Sequence, residues 1–339
     1  MNMRRGFILL GLIGLTVIAV SNFGQLGKVV TALTQAHWYV IPLLVLTQLL
    51  SYWANAGFYQ TFYQMSGQKV NFRKLFEISL AVNFANTALP GGGVAGTAFL
   101  VAAVHDDVPA GQATLSQLGR YIFTILSYIP ILAVGFLLLY FDGDISRLSV
   151  RFTSISILLI LTISLIVLFI CTDRKRLQAV TKPFVNFTNW LWHHLLRQKR
   201  VLLTHQTVSS FFDEFYNTFH EVTSQYGHQA RLLWWALAGN IFEVLSVSAV
   251  FIGFGHWINL GVIIAAYTFA NLASLASFVT NGIGVYEAGM VGTLTALGEP
   301  FSLAFSAALS YRALNLALFL PPGFIYYRKY LTPLLPVTD

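Results

Sequence analysis

Four ionisable residues lie inside otherwise apolar stretches of this chain and are the first candidates for chemistry: Arg120, Glu243, Glu287 and Arg312. A charge at the centre of a bilayer costs about 3 kcal/mol or more, so it pairs with another charge or lines a pathway. Arg312 stands twelve residues into its apolar stretch, ~18 Å deep at the helical rise, and Arg120 lies roughly 12–16 Å from its nearer edge. Tyr121 and Tyr311 flank the two arginines. Guanidinium forks hold phosphate oxygens through parallel hydrogen bonds, so this set suits a phosphate-bearing ligand. The same residues support a structural reading, in which Arg312–Glu287 or Arg120–Glu243 are ion pairs that hold helices together. Glu77, at the edge of its stretch, is expected to be a solvated helix end.

Other motifs carry less. Gly91, Gly93 and Gly96 match the letters of a dinucleotide fingerprint, but no strand precedes them and their flanks are apolar. His193, His194, His205, His220 and His228 lack metal-ligand spacing, so no metal site is expected. No nucleophile–base pair, carboxylate dyad or nucleotide loop occurs, so neither an enzymatic step nor a cofactor is expected.

The elements that must position these residues follow from composition. The chain has 339 residues, of which 56% are hydrophobic and 10% charged, against roughly 25% charged in soluble domains; its mean hydropathy is +0.67. The bilayer is therefore the solvent for most of it. The net charge of +7 does not point to nucleic acid, because the basic residues fall in loops between apolar stretches rather than on one face. The single cysteine, Cys171, excludes internal disulfides.

Six stretches have the length and flanks of ordinary spans: 6–24, 38–60, 112–140, 153–172, 231–255 and 300–327. The first also fits a cleaved signal peptide, with Ala19 and Ser21 as small residues near a cleavage site; the topology requires it as an uncleaved span. Stretches 75–104 and 260–298 are too long for one comfortable helix. Each is broken by a glycine-rich centre, with Pro90, Gly91, Gly92, Gly93 and Gly96 in one and Asn281, Gly282 and Gly284 in the other. Basic residues favour the cytoplasm. Placing both termini and the loop 173–230 inside puts 15 basic residues inside, three outside (Lys28, Arg147, Arg151) and two within spans. That arrangement closes only if 75–104 dips from and returns to the cytoplasmic face, and 260–298 does the same from the outer face. Two tightly paired short spans in each place are the alternative. Irregular backbone at membrane depth survives where it lines a cavity, so two opposed hairpins imply a central polar cavity.

The hairpins recur in similar surroundings. Phe-Ala-Asn precedes each glycine turn (84–86 and 269–271), and a proline-started span follows, with Pro130 ten residues beyond Arg120 and Pro322 ten beyond Arg312. The expected fold is an all-α polytopic membrane protein, a single membrane domain over 1–339 of about six full spans plus two glycine-turned re-entrant hairpins. Residues 38–140 form the first unit and 231–327 the second, in an inverted repeat whose site would lie at the repeat interface. In the loop 173–230, Trp190, Trp192, Leu195 and Leu196 beside Arg197, Lys199 and Arg200 read as an interfacial amphipathic helix on anionic headgroups.

NFANTALPGGGVAGTAFLVA (83–102) with the Gly-Arg-Tyr span after it, and NGIGVYEAG (281–289) with its trailing ALGEP, resemble the two signature regions of the lysylphosphatidylglycerol synthetase transmembrane, or flippase-like, family. The resemblance covers roughly residues 5–330. It implies a carrier of phospholipid or polyprenyl-linked headgroups in the inner (plasma) membrane. With no soluble aminoacyl-transferase domain before Asp339, it does not imply lipid lysylation. The family's arginine and acidic residue after Leu-Pro-Gly are replaced here by Gly92, Gly93, Val94 and Ala95, and its Gly-Val-Arg-Glu by Gly284-Val285-Tyr286-Glu287. Glu287 carries over. The reading that follows is a lipid translocase with Arg120 or Arg312 on the phosphate and Glu287 on a headgroup amine or resetting the arginine. The alternatives are an ion-coupled carrier of a small anion and a non-transporting membrane partner of a separate lipid-modifying or glycosyltransferase enzyme.

Overall fold

The computed structural model describes residues 40–89, 93–141, 226–275 and 284–331, with isolated positions between 158 and 217. The expected spans 6–24 and 153–172, the loop 173–230, and Pro90, Gly91, Gly92, Asn281 and Gly282 lie outside the described residues or are described only at isolated positions. Among the described residues eight helices carry the architecture: α1 (Val40–Met65), α2 (Phe72–Ala88), α3 (Gly93–Ala103), α4 (Ala110–Phe141), α5 (Tyr226–Gly253), α6 (Leu260–Leu275), α7 (Val285–Ala296) and α8 (Phe301–Leu331). The long helices α1, α4, α5 and α8 are each long and apolar enough to cross a membrane. At 11 and 12 residues, α3 and α7 reach only ~16–18 Å, short of a ~30 Å hydrocarbon core. Each stretch with a glycine-rich centre is thus a longer helix followed by a shorter one.

Side-chain contacts fix the directions. Val40 meets Gly253, Thr47 meets Ser246, Gln48 meets Glu243, and Gly57 meets the ring of Trp235, so α1 and α5 run antiparallel. Gly57 and Gly253 have room for no side chain there, since a Cβ would come within 2.6 Å and 2.4 Å of the facing residue. Small residues allow such close approach where lipid supplies no hydrophobic drive between helices.

The α2–α3 pair folds back on itself. Asn86 lies against Gly96, Phe84 and Phe99 both pack on Tyr327, and Lys74 binds Asp107 at 2.7 Å. In the α6–α7 pair, Ala270 and Ala273 face Gly289. Burial pushes the Glu299 carboxyl above the usual carboxylate range, and nearby His256 opposes that shift; the two residues bring the connections before α6 and after α7 together. Both pairs therefore begin and end at one end of the bundle, and the two pairs use opposite ends. They also exchange partners: α2 packs along α8, and α6 along α4. At those crossings Gly323 meets the backbone of Leu80, and Gly261 meets the backbone of Gly135.

Within these helices and their short connections, every Lys and Arg other than Arg120 and Arg312 sits at the end shared by the C-termini of α1 and α8. Glu77 lies there and corrects one expectation, because it is buried rather than solvated. Its carboxylate accepts from Lys329 and from Tyr330 Oη (2.7 Å) and lies 3.4 Å from Arg73 Nε. The apolar packing of α2 on α8 removes this helix end from water, and the C-terminal basic residues supply the compensation. Glu77→Ala is expected to cost about 1–2 kcal/mol, since hydrogen bonds to a charged group are involved but Lys329 remains half exposed. The check is a lower melting temperature of the purified protein in detergent.

Candidate functional site

Along α1, Gln48, Ser51, Tyr52, Asn55 and Tyr59 recur at helical spacing, so their side chains share one face. That face cannot point to lipid without leaving polar groups unsatisfied, and it turns instead into the bundle. There it borders a cavity of about 470 Å³ to which all eight helices except α3 contribute side chains, while α3 contributes Gly93. Asn240 and Glu243 reach it from α5, Arg120 and Tyr128 from α4, Arg312 and Asn315 from α8. The volume falls within the ~300–1,000 Å³ of small-molecule sites.

Five of the six residues expected to bind ligand (Arg120, Tyr121, Glu243, Tyr311 and Arg312) border this one cavity. Glu287 does not border it directly. Its Oε1 lies 3.4 Å from Arg312 Nε, and its Oε2 accepts the backbone N–H of Gly284 at 2.6 Å. Gly284 adopts φ +85° to open α7, a conformation readily open to glycine alone. Of the two ion pairs weighed in the sequence, the structure contains Arg312–Glu287. Arg120 and Glu243 make no ion pair within 4 Å with each other or with any other described residue.

Arg120 and Glu243 instead take neutral partners. Glu243 accepts from Gln48 Nε2 (2.8 Å), Ser51 Oγ (2.8 Å) and Tyr311 Oη (2.5 Å). Arg120 donates from Nη1 to Asn55 Oδ1 at 3.3 Å, and its guanidinium lies 5.0 Å from the Tyr121 ring centre. Its Nε is buried with no hydrogen-bond partner among the described residues, as is the hydroxyl of Tyr286, a 3% exposed side chain on the cavity wall. Buried donors without partners are costly, and both of these belong to residues that border the cavity.

The turn glycines divide by role. Gly93 opens α3 against Tyr121, whose hydroxyl would stand 2.8 Å from a Cβ there. Gly96 donates its N–H to Asn86 Oδ1 at 2.8 Å, and a Cβ would collide with that side chain. The second Phe-Ala-Asn ends in Asn271, on the cavity wall, and its Ala270 packs on Gly289.

Sequence reasoning passed over Asn55, Tyr128, Asn240, Tyr267 and Tyr286. The polar face of α1 was a readable signal, as were the three- and four-residue spacings of Asn240 with Glu243 and of Arg120 with Thr124. Tyr267 and Tyr286 gave no such signal, because a tyrosine in an apolar stretch is also ordinary filler.

The family model described as the lysylphosphatidylglycerol synthase TM region matches residues 6–323. A UPF0104 membrane protein of Methanocaldococcus jannaschii is 21% identical over 331 residues, covering 91% of this chain and 90% of its own length.

Proposed function

The chain belongs to the lysylphosphatidylglycerol synthase transmembrane-region family of membrane proteins, and from that membership together with the cavity we infer that it is a lipid translocase without an enzymatic step. The cargo is a phospholipid or polyprenyl-linked headgroup. Its phosphate sits at Arg120 in the cavity while the acyl chains remain in the membrane. The observation that carries this reading is the half-buried Arg120 guanidinium, which borders the cavity with no carboxylate within 4 Å among the described residues. Phosphate is the bidentate acceptor such a fork fits.

We further propose that α2–α3 and α6–α7 are re-entrant hairpins of an inverted repeat. The shortness of α3 and α7, the return of each pair to its starting end and the antiparallel α1 and α5 support this. Both termini and the basic end of the bundle then face the cytoplasm of the inner membrane.

A phospholipid carrying a photoreactive headgroup tests the reading in the reconstituted protein. Irradiation is expected to label peptides holding Tyr52, Tyr128 or Tyr286, in competition with unlabelled lipid. Labelling confined to the outward residues of α4, such as Val134, Leu137 and Phe141, would overturn it.

A further inference from the structure

The cavity holds two charges that do not neutralise each other. Among the described residues Arg120 has no carboxylate within 4 Å and Glu243 no cation within 4 Å, and the other ionisable pair, Arg312 and Glu287, is already joined. Both lone charges are tied to the same helix. Glu243 is held by Ser51 and Arg120 by Asn55, four residues further along α1. Four residues of helix advance about 6 Å, so the acidic and basic positions are offset by roughly that much along the wall. Charges kept apart at membrane depth are costly unless a third species brings a counter-charge to each.

The surroundings of the two positions differ in kind. Around Arg120 are donors: its own guanidinium and, on another lining residue, the Tyr286 hydroxyl, which has no partner among the described residues. The wall near Glu243 is aromatic. Tyr311 donates to its carboxylate, Tyr286 stacks on Tyr311 with ring centres 6.4 Å apart, and Tyr128 packs edge-on to Tyr267 at 6.3 Å. Three donors occupy Glu243, whereas an ionised carboxylate offers about four acceptor positions. A carboxylate with one free lone pair beside tyrosine rings suits an ammonium, which gains from the ring faces as well as from the charge.

We propose that the ligand head is a compact zwitterion, a phosphate ester joined through two carbons to an ammonium, with its phosphate at Arg120 and its ammonium at Glu243. In such a head phosphorus and nitrogen are about 5 Å apart, four bonds of ordinary length, which matches the offset along α1. This rests on the translocase reading for the source of the head, a lipid, but not for its chemistry.

The test measures binding to the full chain in detergent by calorimetry, using dihexanoyl phosphatidylethanolamine, dihexanoyl phosphatidylglycerol and free O-phosphoethanolamine. The ethanolamine lipid is expected to bind at least tenfold more tightly than the glycerol lipid, which has the same phosphate and chains but no ammonium. Glu243→Gln, at an unchanged melting temperature, is expected to bring the ratio to about one. Tyr286→Phe, which removes one oxygen and keeps the ring, is expected to weaken both lipids severalfold. A wild-type ratio near one, or a preference that survives Glu243→Gln, overturns the zwitterion assignment. If Arg120→Gln weakens both lipids in that case, the translocase reading still stands. Tight binding of free O-phosphoethanolamine, equal to the lipid and equally sensitive to Glu243→Gln, supports the zwitterion and removes the lipid. Binding of none of the three overturns both.

Discussion

Arg120→Gln is expected to slow headgroup movement about 10- to 140-fold in a protein that remains folded. A hydrogen bond to a charged group is worth about 1.5–3 kcal/mol, and each 1.4 kcal/mol is about tenfold in binding. The substitution removes the phosphate's charged partner and takes little from the bundle. Arg120 contributes a long bond to Asn55, a contact over the Tyr121 ring and polar contacts with the Tyr59 and Tyr121 hydroxyls, and no carboxylate among the described residues loses its counter-ion. Its neighbours Tyr59, Gln117 and Tyr121 keep their own hydrogen bonds to one another. Transport kinetics and the melting temperature should therefore separate, the first falling and the second holding or rising. A variant as active as wild type would remove Arg120 from the mechanism.

The equivalent arginine should behave in the opposite manner. Arg312→Gln leaves the Glu287 carboxylate without its cation, and breaking a buried pair from one side costs about 3–5 kcal/mol. The Arg312 and Glu287 side chains keep 14% and 19% exposure, so the cost here is expected nearer 2–3 kcal/mol once solvent screening is allowed for. Adding Glu287→Gln should restore most of it, because the neutral side chain can still accept the Gly284 N–H that opens α7 and no unpaired charge remains. A double-mutant cycle on melting free energies reads this coupling directly. If Arg312→Gln leaves stability unchanged while abolishing transport, Arg312 is the ligand group and the roles of the two arginines are reversed.

How much of this was legible in the chain depended on the kind of signal. The long helices α1, α4, α5 and α8 could be read from apolar length, since a bilayer demands about 20 such residues. The broken stretches were legible from their glycines: 93, 96 and 284 stand where a side chain would collide or the backbone turns left-handed. Arg120, Arg312 and Glu243 announced themselves because charge at depth is costly.

The pairing was not legible. Sequence offered Arg120–Glu243 on equal terms with Arg312–Glu287, and only the register of α1 against α4 and α5 shows Asn55 and Ser51 taking the two charges separately. Glu77 was misread for a related reason. Its burial comes from α8, some 250 residues away in sequence, and no local pattern reports a partner that distant. Tyr286 was not legible as a lining residue, because a tyrosine in an apolar stretch is also ordinary filler.

The central claim is lipid movement by this chain alone. It is tested most directly in liposomes containing the purified protein and a headgroup-labelled phospholipid, with label on the inner leaflet followed by its accessibility to a membrane-impermeant quencher. The account predicts loss of protected label faster than in protein-free vesicles, at a rate that falls with Arg120→Gln. Protection that persists at the protein-free rate for phospholipid and polyprenyl-phosphate lipid alike, with coupling ions supplied, would contradict it.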